Sequence, residues 1–292
     1  MPTISELFVY PIKSCAGIAL NEARLLATGL EYDRCWMVTD PAGAMLTQRA
    51  YPRMALIQAE PGDADLVIRA PGMSELRTPL DPARLDAPPK VQTRVWRDAA
   101  YGLDTGEAAA AWFSTFLGVP ARLLRFDPGH ERVVDPDYTG SVGGATTHFA
   151  DGFPLLVIGQ ASLDDLNARL NSKGAPSIPI DRFRPNVVLT GLDAYEEDYV
   201  ETLSVDGDIG GQAVQLQLVK PCSRCPIPTI DQAKGAPDPD WANEPTDTMS
   251  VYRANPQRDG AITFGNNALV VNGAGQWLRV GQTVEAALGF GD

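Results

Sequence analysis

Apolar and polar residues alternate through Val214-Gln215-Leu216-Gln217-Leu218-Val219, the two-residue period of a strand with one buried face. Similar short runs recur along the chain. Ile4 to Ile12 predicts a strand near the start. Cys35 to Thr39 and Met45 to Gln48 flank the turn signal Asp40-Pro41-Ala42-Gly43 and predict a hairpin. Leu56 to Ala59 and Leu66 to Arg69 continue the pattern, as do Leu155 to Ile158, Val187 to Thr190, Ala268 to Val271 and Leu278 to Val284. Helical periodicity is rarer. Glu107 to Leu117 carries Ala108, Ala111, Trp112, Phe116 and Leu117 largely on one side, with Gly118 as a C-terminal stop. Ser162 to Leu170 opens with Ser162 and Asp165 at capping-box spacing and carries Leu163, Leu166 and Leu170 as its stripe. The pattern predicts an α+β chain that is mainly β, more barrel than doubly wound sheet.

Asp127 to Ala150 is rich in Gly, Asp, Pro and Thr and reads as loop. That composition shift divides the chain into an expected first domain, 1–127, and a second, 128–292. A further loop, Gln232 to Thr248, holds Pro237, Pro239 and Pro245. With 44% hydrophobic and 21% charged residues, the 292-residue chain has the composition of a packed protein rather than a disordered one. No apolar run approaches the roughly 20 residues of a membrane span. The net charge of −13 argues against nucleic acid or an anionic membrane as a general partner, though a local basic pocket remains open. Met1-Pro2-Thr3-Ile4-Ser5-Glu6 has no secretory character, and four cysteines fit a reducing, cytoplasmic setting.

The chemistry concentrates where the alternating run ends, in Lys220-Pro221-Cys222-Ser223-Arg224-Cys225-Pro226-Ile227-Pro228. The three prolines should stop any ladder or helix there, leaving two thiols and two cations on a stiff loop. Nearby positive charge favours thiolate. Such a thiolate can be a nucleophile, a redox pair or a soft metal ligand. A structural zinc site needs four ligands, and Cys15 and Cys35 do not form a second close pair. A thioredoxin-type pair would open a helix, which Pro226 and Pro228 block. Elsewhere, Tyr10-Pro11-Ile12-Lys13-Ser14-Cys15 delivers a cation and a hydroxyl at a strand end, by itself an ordinary feature. Asp33-Arg34 reads as a surface pair. Asp181-Arg182-Phe183-Arg184-Pro185-Asn186 is stronger, since two arginines run into an apolar strand and Arg suits bidentate phosphate recognition. Phe264-Gly265-Asn266-Asn267 is expected to open a late strand, with Gly265 allowing close approach. His130 and His148 are expected on the loop surface. Gly140-Ser141-Val142-Gly143-Gly144 does not match a dinucleotide fingerprint.

Taken in order, Tyr-Pro-Ile-Lys-Ser-Cys at 10–15, Asp-Arg-Cys-Trp at 33–36, Phe-Arg-Pro-Asn at 183–186, Cys-Ser-Arg-Cys at 222–225 and Leu-Arg-Val-Gly at 278–281 resemble the MOSC family. In that family a molybdenum-cofactor-binding domain follows an N-terminal MOSC-associated barrel. The resemblance implies an N-terminal β-barrel-like domain, then a MOSC β-barrel with a few flanking helices. Its implied activity is reduction of N–O bonds in small N-hydroxylated substrates such as amidoximes and hydroxylamine-type bases. Electrons would come from a separate electron-transfer protein. The alternative is a non-catalytic carrier of the cofactor, or a sulfur-transfer protein. By the same resemblance Cys225 ligates molybdenum and is the catalytic residue. Lys13, Ser14, Arg34, Asp151, Arg184, Asn186, Ser223, Arg224 and Asn267 hold the pterin and its phosphate. A Tyr of the mitochondrial relatives falls at Asn267, and their Thr-Ser at Gly152-Phe153. The iron–sulfur module of bacterial relatives and the anchor of mitochondrial ones are expected to be missing, so no iron–sulfur cluster is expected in this chain.

Overall fold

The computed structural model describes residues 1–207 and 211–289, so 208–210 and 290–292 of the expected second domain lie outside it. Strands dominate, as the patterning predicts. One sheet runs in the order Ile18–Leu20, Thr3–Val9, Val187–Thr190, Leu155–Gly159, Ala261–Asn272, Val214–Ser223, Val200–Val205, Glu285–Leu288. Its neighbours are antiparallel except Leu155–Gly159 and Val187–Thr190, whose parallel pairing is bridged by the helix Gln160–Ser172. A four-stranded sheet orders Trp36–Thr39, Arg122–Phe126, Asp98–Asp104 and Lys90–Val95, and carries the helix Glu107–Leu117. Leu7, Leu25, Val157, Val214 and Leu278 are fully buried in the core of the large sheet, and Trp36, Phe113 and Leu123 in that of the first half. Among the described residues no helix is long and apolar enough to cross a membrane.

The division expected at 127/128 does not follow the hydrogen bonding. Thr3–Val9 pairs with Val187–Thr190, and Glu22–Leu26 pairs with Trp277–Arg279, so the first thirty residues build into the second half. Helix Glu107–Leu117 has the predicted bounds and ends on Gly118 in the left-handed region, φ 73°. The helix at 160 differs from its prediction. It starts at Gln160 without a side-chain cap, because Ser162 Oγ instead donates to the buried Glu197 and accepts from the Tyr195 amide. The strand Val214–Ser223 runs through Pro221 rather than stopping before it. By Pro221 its pairing with Val200–Val205 has ended and only the Ala261–Asn272 side remains, with a register shift on either side of the proline, so no ladder donor is missed. Phe264 to Asn267 lies inside Ala261–Asn272 rather than opening it. Of Leu278 to Val284 only Leu278 and Arg279 lie in a strand, Trp277–Arg279, and the next strand, Glu285–Leu288, starts beyond it; the hairpin at 40–44 closes with a single bridge, Thr39 to Met45. The loop 232–248 ends in a short helix, Thr246–Ser250.

Candidate functional site

A cleft opens where the two halves meet, and every one of the ten residues singled out above lines it. Four chain segments supply eight of them, and Asp151 and Asn267 complete the set. The first two are zipped together: Lys13 N donates to Trp36 O at 2.8 Å, Arg34 N to Tyr10 O at 2.8 Å and Trp36 N to Pro11 O at 2.9 Å. This places Lys13 and Ser14 beside Arg34. Asp33 is not a surface residue, contrary to expectation. Its side chain is 2% exposed, accepts from Tyr10 N at 2.9 Å and pairs with Arg34 Nη1 at 2.5 Å. Burial pushes its carboxyl above the usual range, against the pull of Arg34.

The third segment adds Arg184 and Asn186. Arg184 lies in the left-handed region at φ 58°, at the end of the turn Ile180–Phe183. Its Nη1 donates to Cys15 O at 2.6 Å, while its buried Nη2 has no hydrogen-bond partner. The guanidinium carbons of Arg34 and Arg184 each lie 4.2 Å from the centre of the buried Tyr10 ring, a double cation–π contact. Asn186 is buried and committed to the frame. Its Oδ1 accepts from Leu156 N and Arg34 Nη1, both at 3.1 Å, and its Nδ2 donates to Phe8 O at 3.2 Å. Its side chain therefore positions Arg34. Arg182 points elsewhere, 3.5 Å from Asp231.

The fourth segment is the Cys-Ser-Arg-Cys stretch. Arg224 Nη2 donates to Phe183 O at 2.7 Å and Nη1 to Cys222 Sγ at 3.1 Å, and its buried Nε has no partner. So the cation beside the thiols serves Cys222, while Lys220 lies over the Tyr138 ring at 4.2 Å. Cys225 is half-buried and unbonded among the described residues. Asn267 Nδ2 donates to Lys220 O at 3.0 Å. Beneath it Gly265, φ 73°, is required: a Cβ there would sit 2.8 Å from Val157 O. Cys15 and Cys35 are different thiols, buried and pushed up to about 12 and about 11 by desolvation.

Asp151 closes the cleft. Lys13 Nζ reaches its Oδ1 at 2.5 Å and Trp96 Nε1 donates to the same oxygen at 2.9 Å. Desolvation lowers the Lys13 ammonium, opposed by Asp151. Desolvation works against ionised Asp151 too, yet Lys13 and the two hydrogen bonds keep it below the usual carboxylate range. Four lining residues other than glycine, Ser14, Arg34, Trp96 and Arg184, have φ between 46° and 67°. Backbone strain of this kind persists where surrounding contacts over-determine it.

Sequence reasoning missed Tyr10, whose ring carries two arginines, and missed Thr47, Arg49 and Trp96, which line the cleft from the first half. No motif marks these three. The histidines are not on the surface as expected. Both are half-buried against Phe126, with ring centres 4.8 Å away for His148 and 5.9 Å for His130. Burial pulls His148 down to about 4, and its Nδ1 lies 3.3 Å from Cys35 Sγ. Among the described residues no three His, Cys, Asp or Glu side chains are grouped to hold a metal ion.

Residues 1–120 match the MOSC N-terminal beta barrel domain and residues 144–285 the MOSC domain. Mitochondrial amidoxime-reducing component 1 of Mus musculus is 36% identical over 258 residues, 86% of this chain and 71% of that protein. The Homo sapiens protein of the same name is 35% identical, covering 86% of this chain and 72% of its own length. The molybdenum cofactor sulfurase of Homo sapiens is 29% identical over 80% of this chain but only 27% of its own length. The chain belongs to the MOSC family, with an N-terminal MOSC barrel domain and a MOSC domain, among the relatives of the mitochondrial amidoxime-reducing components.

Proposed function

We propose that this chain is a molybdenum-cofactor-dependent reductase of small N-hydroxylated compounds. One observation carries the reading: a half-buried thiol, Cys225, shares a cleft with two guanidinium groups whose buried N–H donors have no partner. Unpartnered buried donors are rare, and an anionic ligand would satisfy them. Lys13, Arg34, Arg184 and Arg224 outnumber Asp151, which lines the cleft, and Asp33, buried behind Arg34, despite the acidic whole. The residues therefore fit a pterin phosphate, with Ser14 and Ser223 as further donors and Asn267 at the far wall. Cys225 would offer thiolate to molybdenum, a soft ligand for a thiophilic metal. Ionised Asp151 accepts N–H donors, which suits the edge of a pterin better than a phosphate.

The bound cofactor supplies the two-electron centre that takes up the substrate oxygen. The protein's part is to hold that centre through Cys225, neutralise phosphate with fixed cations and keep Asp151 ionised beside Lys13. Overall, two electrons and two protons convert the N-hydroxyl compound to the amine-level product and water. The electrons come from a separate carrier protein, because only four cysteines are present and two of them, Cys15 and Cys35, are buried in the core. Four unpaired cysteines also support a reducing compartment, the cytoplasm. The second reading, a cofactor carrier or sulfur-transfer protein, draws on the Arg224–Cys222 contact and the partial likeness to the sulfurase.

The test is protein purified from a cofactor-producing host. It should carry molybdenum and pterin and reduce benzamidoxime with a reduced viologen dye, but not with NADH alone. Full cofactor without turnover favours the carrier. Protein from such a host with neither metal nor pterin removes both readings.

A further inference from the structure

The floor of the cleft is lined by buried charge, but its mouth holds a separate cluster that the cofactor reading leaves unused. Trp96 is 42% exposed and sits at the first position of a two-residue turn between the paired strands Lys90–Val95 and Asp98–Asp104. Its φ of 57° is one that glycine normally takes in such a turn. A bulky ring held there is strained, and two contacts hold it. Its Nε1 donates to Asp151 Oδ1 at 2.9 Å, and the guanidinium of the exposed Arg49 lies 4.2 Å over its ring. Both side chains line the cleft that contains Cys225. The buried arginines of the floor point their donors inward, whereas Arg49 and Trp96 present a flat cation–aromatic surface at the entrance.

We propose that Trp96, braced by Arg49, is the substrate-selecting wall of this cleft and favours flat, conjugated N-hydroxylated compounds over aliphatic ones. The inference rests on the proposed reductase and deepens it. A planar π-system stacks on an indole or a guanidinium plane, while a methyl-sized substituent gains almost nothing there. Trp96 is a positioning residue: it aligns the substrate and takes no part in bond breaking.

The experiment compares benzamidoxime with acetamidoxime on cofactor-loaded protein. Affinity is read by quenching of tryptophan emission without reductant, and KM and kcat with reduced viologen. Trp96→Leu should weaken benzamidoxime binding and raise its KM about tenfold, with KM for acetamidoxime and both kcat values changed less than twofold. Trp96→Phe, which keeps a ring but loses the N–H to Asp151, should retain most of the preference. Arg49→Gln should lower it severalfold. An equal change for both substrates overturns the proposal. So does a loss of pterin in Trp96→Leu, which would place the ring against the cofactor, or a fall in Trp96→Phe as deep as in Trp96→Leu. If Trp96→Leu does not fold, the ratio of the two substrates in Trp96→Phe and Arg49→Gln decides. Wild-type protein that binds benzamidoxime but turns nothing over sinks the reductase reading and leaves the binding comparison intact.

Discussion

The floor and the mouth of the cleft use the same residue types in opposite ways. On the floor, Arg34 and Arg184 clasp the buried Tyr10 ring and hydrogen-bond to Asp33, Asn186 and the carbonyls of Arg184 and Cys15. At the mouth, Arg49 lies over an exposed Trp96 that has one bond, to Asp151. The lesson is that a cation–π pair carries little meaning until its burial is known. In a dry, low-dielectric setting it fixes charge in place, and every donor left over is a demand for a ligand. In a wet setting it is an adaptable surface.

The sharpest break of this comparison is at the thiol. Cys225→Ala should abolish molybdenum retention and activity, while Cys222→Ala, whose sulfur already accepts from Arg224, should keep most of both. Metal content of the two purified variants checks this, and equal loss in both would make the pair one structural unit. Next in size, Arg184→Ala should weaken pterin retention by about 1.5–3 kcal/mol, one charge-assisted contact. It should also lower the melting temperature, because Cys15 O loses its donor. A variant that melts much earlier yet keeps its pterin would make Arg184 purely structural.

Asn186→Ala tests the frame itself. Three bonds tie its side chain to Phe8, Leu156 and Arg34, and leaving those groups unpaired should cost about 1–3 kcal/mol in denaturant unfolding. Below the floor, Glu197 is fully buried, holds Ser162 and is pushed up to about 7 by desolvation. Its folded value lies above its unfolded one of about 4.3. The folded chain therefore keeps a proton that the unfolded chain has released, and stability falls as pH rises through about 4.5 to 7. The loss should be about 1–3 kcal/mol between pH 5 and pH 8, and Glu197→Gln should flatten the slope. The smallest effect belongs to the mouth. Arg49→Ser should shift stability by less than about 0.5 kcal/mol, the range of surface substitutions, and a larger shift would blur the contrast drawn here.

How much of this was written in the sequence varies by element. The helix Glu107–Leu117 needed only its own stripe and Gly118 to be located. Strands at 36–39, 65–69, 155–159 and 187–190 followed from short apolar runs of strand length. The Cys-Ser-Arg-Cys loop declared its chemistry by composition alone. What the sequence could not tell is which groups are desolvated together. Asp33-Arg34 looked like a surface pair because two adjacent charges carry no information about the strand that covers them. The capping box at 162 failed because Ser162 found a better partner in Glu197, 35 residues away. Pro221 looked like a strand stop because a missing N–H matters only on a side that is paired, and pairing is a property of the sheet. The sequence determined the element types and the reactive residues, since these depend on neighbours a few positions apart. The tertiary structure decided the rest: the first thirty residues entering the second half's sheets, the tyrosine between two arginines, and the tryptophan at the mouth. The first two depend on contacts across more than a hundred residues and the third on Asp151, 55 positions away, and no local pattern encodes those.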